Sequence, residues 1–438
     1  MKTFTIFYLL SALVVEGMIV LPPNINSTEF YHQIGQKRQA LGALTSLMGK
    51  GGKVADPPGA TPRKQLIKSD SPVPGVKRIK MRYGPYKVPN MGTKGISGEA
   101  GSLWNYPDTG IAKPCAECTI VSQFAGLEYP DGSQANINTG MWLHHMVHIT
   151  IGSGRWDPTC YGSRSLPHVD VGASPSNSER YFSSGNERTK IRIDEAGAEG
   201  TKAGYHLKTS DRFAFIVDLM NMNMEDKTVY MTMTYDVIDG ALPSGWKDIK
   251  VVWFDAAQCG TSEVSAYKQT GKYTIPTRAW TPNFEGDIIG VGAHVHDGGS
   301  NIIITSGTKT ACDCKVHYAE SEEYIFKKEM RMGEGKNYAE KHISSVTACY
   351  NGNLGTQKLE KSQSWKLGCN YDYDQFPGNR GDSGKQESVM CIAIMYVAVP
   401  AGGAAPSRSA AAGGGGRGEG RGGPAGRVRS IGAEEDQG

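Results

Sequence analysis

The chain has 438 residues, 39% of them hydrophobic and 21% charged, which is enough material for two or three cored domains. A formal charge of +3 is near neutral at this length and gives no ground for a nucleic-acid partner. Past the N-terminal segment no apolar run is long enough to span a bilayer, so no membrane partner is expected once that segment is removed.

Lys2 followed by the apolar run Phe4 to Val15 reads as a secretory signal peptide over residues 1–17, which makes the mature protein secreted and extracellular. Residues 18–75 are rich in Gly, Lys, Pro and Ser without periodicity and read as a flexible leader or propeptide. That stretch carries the sequon Asn26-Ser27-Thr28 and the dibasic pair Lys37-Arg38, a candidate processing site.

From residue 76 the pattern changes to short runs such as CTIVSQFAGLEY, MWLHHMVHITI, FAFIVDL, TVYMTMTYDVI and MCIAIMYVAV, rich in Val, Ile, Thr and aromatics and punctuated by Gly, Pro, Asn and Asp. Such runs signal strands, and no long amphipathic helix accompanies them. The expected fold is all-β, two antiparallel β-sandwich (jelly-roll-like) domains in tandem over 76–240 and 246–400, joined by a linker at Asp239–Gly245. Residues 401–438 are Gly/Ala/Arg-rich and read as a disordered tail. Nine cysteines suit an oxidising compartment and leave one thiol over or one intermolecular bond. Cys115 and Cys118 (CAEC) and Cys312 and Cys314 (CDC) point to disulfides more than to zinc, and Cys369 is the preferred partner of Cys391.

Three fragments carry chemistry. His294 and His296 lie two apart at the end of the strand-like DIIGVGAHVH, so both rings project from one face and can grip one ion. His144 and His145 are adjacent, so on a regular strand they point to opposite faces, and they can share a metal only if the backbone is bulged there. His148 is too far along the strand to join them and reads as a sheet residue. Met390 heads MCIAIMYVAV, where Met390, Ile392, Ile394 and Tyr396 share a face. Imidazoles together with a thioether suit copper, because soft sulfur favours Cu(I) while imidazole serves both oxidation states. Met220, Met222 and Met224 form a second soft cluster that reads as a sulfur-rich core face.

Taken in order, LHHM, AHVH and the stretch from WKLGCNYDYD to SVMCIAIMY resemble the copper type II, ascorbate-dependent monooxygenases, which include peptidylglycine α-hydroxylating and dopamine β-monooxygenases. The first half, with RYGPYKVPNMG, KPCAEC and GMWLHHM, is similar to the stress-up-regulated nodulin-type secreted proteins. The resemblance implies two sandwiches facing each other across a water-filled cleft, with up to two coppers and ascorbate as electron donor. His144 and His145 would hold the electron-supplying ion, and His294, His296 and Met390 the ion that activates oxygen.

The chain departs from that pattern twice. The first ion's third histidine is replaced by Asp218 or its neighbours, with His206 as a substitute from an adjacent strand, and Gly290, Val291 and Gly292 stand where a carboxylate-binding Arg is found. A glycine-extended peptide is then disfavoured as substrate. The expected function is a secreted copper monooxygenase-like protein hydroxylating an unidentified organic or peptide substrate. The alternative is a non-catalytic secreted copper-binding or cell-wall and stress-associated sandwich. A zinc hydrolase is weaker, because no Glu or Asp is placed as a general base for the histidine pairs and Met is a poor zinc ligand.

Overall fold

A computed structural model describes residues 51–402, without 95–98, 164–170, 197–201, 261, 328–338 and 382–383, together with a backbone pairing of Val14–Val15 and Met18–Ile19. The expected signal peptide, the sequon at Asn26, the Lys37-Arg38 pair and the tail from 403 onward lie outside the described side chains.

Sixteen of the strands among the described residues organise the molecule. The first eight are β1 (Lys77–Val88), β2 (Ser102–Ile111), β3 (Cys118–Glu128), β4 (Met141–Ile151), β5 (Ser178–Ser184), β6 (Ala203–Leu207), β7 (Arg212–Asn221) and β8 (Lys227–Asp239). The second eight are β9 (Lys247–Asp255), β10 (Lys272–Pro276), β11 (Gly286–Val295), β12 (Gly299–Ser306), β13 (Lys309–Tyr318), β14 (Ile343–Val346), β15 (Trp365–Asp372) and β16 (Val389–Val399). The fold is all-β, built from antiparallel sheets. One exception is a short parallel pairing of β6 with β9 through Ala203↔Lys247 and Gly204↔Asp248.

That pairing carries one sheet through both halves of the chain, in the order β11-β16-β9-β6-β3-β8-β1. A four-stranded sheet, β2-β7-β4-β5, faces the first part and a five-stranded sheet, β10-β15-β12-β13-β14, faces the second. The segment read as a linker is a turn with Gly240 at φ 88° and Gly245 at φ 78°. Order also begins earlier than the sequence pattern suggested. Gly52–Lys53 and Lys64–Ile67, in the stretch read as leader, pair with β1, and Lys53 reaches Asp108 at 2.8 Å. Edge-strand hydrogen bonds hold residues whose composition alone argues for a loop.

Strand alternation decides where the cores sit. On β16, Met390, Ile392, Ile394, Tyr396 and Ala398 join the core of the first half, while Val389, Cys391, Ala393, Met395 and Val397 join that of the second. β9 divides the same way, with Ile249, Val251 and Trp253 on one side and Val252 and Phe254 on the other. Polar links reinforce the seam. Buried Arg180 of β5 bonds Asp157 at 2.6 Å and Asp255 at the end of β9 at 3.0 Å, and the disulfide Cys160–Cys259 crosses beside it. The other disulfides are Cys115–Cys118, Cys312–Cys349 and Cys369–Cys391, and Cys314 is the free, buried thiol.

Candidate metal centre

The tandem histidines sit where β4 is irregular. Asp218 of β7 pairs with His145, but the next residue, Leu219, pairs with Leu143, so His144 is the extra residue of a bulge. The bulge interrupts the alternation that would send the two rings to opposite faces. Their centroids are 5.1 Å apart. The same place is irregular on the other side of β7, where Val217 pairs with Tyr106 and Leu219 with Leu103. Asn105, between them in sequence, takes a left-handed φ of 41°.

β11 delivers the second pair. His294 lies opposite Ile392 of β16, and His296 follows just past the strand end. The imidazole of His296 reaches the first pair, with its centroid 4.6 Å from that of His144 and 6.2 Å from that of His145. The fourth contributor is Glu263, on a two-residue strand, Glu263–Val264, beside β16. One donor atom from each of His144, His145, Glu263 and His296 lies within 4.8 Å of the other three. The resemblance assigns the two histidine pairs to separate ions across a cleft, but here rings from both halves meet in one cluster.

The remaining candidates are placed around it. Asp218 stands behind His144 as a hydrogen-bond acceptor. His206 is elsewhere, its Nε2 2.8 Å from Glu117 Oε1. Met390 is 1% exposed in the first core and lies directly opposite Glu263, on the same face of the sheet as that carboxylate. His148 is caged by Phe213, Phe215 and Tyr181, and burial drives its pKa well below the ordinary value. Met220 and Met222 pack with Trp142 in a small core, while Met224 is exposed. The glycines at the missing Arg position have no room for side chains. A Cβ on Gly290 would meet the Tyr350 ring at 2.8 Å, and one on Gly292 would meet Ile191 at 2.6 Å.

Each of the four imidazoles has one nitrogen held by an oxygen acceptor. His144 Nδ1 is 3.2 Å from Asp218 Oδ1, and His145 Nε2 is 3.1 Å from Asn105 Oδ1. His294 Nδ1 is 3.0 Å from Glu187 Oε1, and His296 Nδ1 donates to the Ser388 carbonyl at 2.8 Å. An acceptor on one nitrogen fixes the tautomer and presents the lone pair of the other. Nε2 of His294 and Nε2 of His296 are buried and have no hydrogen-bond partner among the described residues. Buried nitrogens in that condition are the donors a metal ion would satisfy.

Electrostatics follow the packing. Burial depresses His144, but the bond to Asp218 and that carboxylate's charge outweigh it and raise the ring to about 10. Burial, with the neighbouring His144 and His294, pushes His296 well below the ordinary imidazole value, so it is neutral. Burial lifts Glu263 to about 7, against the pull of His144. Glu187 is also penalised by burial, yet its contact and hydrogen bond with His294 bring it below its usual value.

Glu263, Glu187, Asn105 and Ser388 carry no sequence motif; Glu263 arrives by pairing with Met390, Asn105 lies at an irregularity of β2, and Glu187 and Ser388 lie in the segments next to β5 and β16. The fifth imidazole, His342, was equally silent in sequence. Its Nδ1 is 2.7 Å from Asp297 Oδ2 and its ring centroid 4.6 Å from that of Trp142. A hollow of about 20 Å³, room for a water-sized molecule, lies against Trp142, His144, Glu187, His294 and His296.

No family model matches the chain. It is 26% identical over 320 residues to the "Probable copper-dependent oxygenase M1" of a Phoma species, covering 73% of this chain and 72% of that protein. It is 27% identical over 275 residues to the "Probable copper-dependent oxygenase clz3" of Cochliobolus lunatus, covering 62% and 77% respectively. Among solved structures, the mavirus major capsid protein aligns over 79% of this chain and 88% of its own, at 9% identity and a TM-score of 0.20, too slight a likeness to argue from.

Proposed function

We propose that the cluster of His144, His145, His296 and Glu263 holds copper and that the protein is a secreted copper-dependent oxygenase, drawing electrons from ascorbate to hydroxylate a C–H bond of an organic substrate. The observation that carries this reading is the meeting of three imidazoles and a carboxylate from both halves at one point. By itself that donor set suits copper or zinc, since two acids, Glu263 and Glu187, now stand beside the histidines. The two relatives, both copper oxygenases by name, favour copper.

Bound copper would supply one-electron redox cycling and the activation of dioxygen. The protein's part is to hold its donors in one geometry. Asp218, Asn105 and the Ser388 carbonyl fix three ring orientations, so little rearrangement is needed on binding. His294, with its free Nε2 beside the cluster and Glu187 behind Nδ1, is placed to accept or deliver a proton in the hollow. Met390 would lend a soft donor from the face of Glu263. Trp142 and Val295 form part of the wall of the hollow.

The test is copper loading of the purified chain, with metal counting and ascorbate-driven oxygen uptake. The reading expects bound copper lost in His296→Ala, and turnover abolished in His294→Ala and strongly reduced in Met390→Ile. Copper bound without oxygen uptake above background would favour a non-catalytic copper-binding protein, and preferential zinc retention would overturn the copper assignment.

A further inference from the structure

A second cavity, of about 340 Å³, lies on β3 and β8 near the loop that carries Glu187. That volume is within the range of small-molecule sites. Its walls include Phe124, Thr232 and Thr234, with Gln134 and Tyr324 beside them. Two cations line it, and they differ. Lys80 is neutralised, with Nζ 2.6 Å from Glu128 Oε1, and Glu128 in turn takes Arg82 at 3.0 Å. Arg188 has no such partner. Its Nη1 is 3.3 Å from Gln134 Oε1 and its Nη2 is 2.5 Å from the Ala135 carbonyl, both neutral acceptors.

Nε of Arg188 is sealed from solvent with no hydrogen-bond partner, and among the described residues no carboxylate lies within ion-pair distance of the guanidinium. The remaining acid of the wall, Glu323, is exposed. Burial pulls the Arg188 pKa below its ordinary value, the mark of a cation short of counter-charge. The backbone of Arg188 is also in the left-handed region, φ 47°, which a long side chain rarely adopts. Strain of this kind persists where the surroundings over-determine it, often at a ligand site.

We infer that this cavity binds a small organic carboxylate, with the Arg188 guanidinium as the group that grips it. Nη1 and Nη2 each keep a further N–H beyond their bonds to Gln134 and Ala135, a pair that matches a carboxylate, Phe124 offers an apolar wall for its carbon skeleton, and Thr232, Thr234 and Gln134 can meet its polar substituents. Arg188 is the chain neighbour of Glu187, whose carboxylate holds His294. The binding itself does not depend on which metal, if any, the cluster takes.

Calorimetric titration of the metal-free full chain tests this, with benzoate as probe, benzamide as its uncharged counterpart and inorganic phosphate as a second anion. Saturable benzoate binding at one site is expected, weakened about tenfold or more in Arg188→Gln and for benzamide on the wild type. Arg188→Lys, which retains charge without the fork, should keep weakened binding. Because Arg188→Gln removes an uncompensated cation, its melting temperature should not fall. No saturable benzoate binding, or equal binding by wild type and Arg188→Gln, overturns the proposal. Phosphate binding tighter than benzoate overturns the carboxylate assignment.

Discussion

Nδ1 of His144 lies 3.2 Å from Oδ1 of Asp218, and the other oxygen of that carboxylate accepts the backbone N–H of Asn105 at 3.1 Å. One buried acid thus orients a candidate ligand and pins the left-handed residue that touches the next one, His145. Replacing Asp218 by Asn places an amide donor against one of those two N–H groups. Copper affinity in Asp218→Asn should fall about 10- to 100-fold, with the fold retained. A competition titration against a copper chelator measures it, and an affinity within twofold of wild type would remove Asp218 from this role.

Gly185 shows how tightly His294 is seated. A Cβ there would fall 2.5 Å from His294 Cε1, 2.8 Å from Glu187 Oε2 and 3.0 Å from the His144 carbonyl. Gly185→Ala should cost about 1–3 kcal/mol of stability by overpacking and disturb oxygen uptake far more than Gly290→Ala, whose clash is with Tyr350. Equal activity losses in the two variants would refute a specific effect on His294.

Stability should depend on pH through Asp255. Burial raises its carboxyl to about 7, against the pull of Arg180, and its Oδ1 has no hydrogen-bond partner among the described residues. A raised acid keeps its proton in the folded chain after the unfolded chain has released it near pH 4. This group's contribution is therefore intact below that pH and is lost as pH climbs from about 4 to 7. Glu263, also raised to about 7, adds to the same decline in the metal-free protein. Melting temperature followed over this window should fall less steeply in Asp255→Asn, and an unchanged slope would contradict the assignment.

The disulfide Cys160–Cys259 closes a separation of 99 residues and joins the two halves. Chain entropy makes such a link worth about 4 kcal/mol. The double variant Cys160→Ser/Cys259→Ser should lose about that much in denaturant unfolding. A loss below about 1 kcal/mol would mean that the polar seam around Arg180 suffices without it.

Strand type and location were legible because Val, Ile, Thr and aromatic runs between Gly and Pro signal strands whatever their neighbours do. The alternation in MCIAIMYVAV likewise placed Met390, Ile392, Ile394 and Tyr396 on one face, as the first core shows. The condition for His144 and His145 to share a site, a bulge, could be stated from the sequence, but its presence depends on how Leu219 pairs across the sheet. Glu263 and Glu187 carry no sequence signal because their roles arise from contacts between distant segments, a strand pairing with Met390 for one and a hydrogen bond to His294 for the other, and short polar loops carry no periodicity to betray them. Gly52–Lys53 and Lys64–Ile67 read as leader for a related reason, since an edge strand borrows its order from β1.

The division of β9 and β16 between two cores bears on how this protein could be dissected. A fragment ending at Gly240 would leave the first core without Trp253, Ile392 and Tyr396, and the complementary fragment would carry those side chains bare to water. Each piece alone would therefore lack part of the packing it has in the intact chain. Inserting a single residue into β16 would turn every side chain beyond the insertion to the other side, so each core would receive the other's residues.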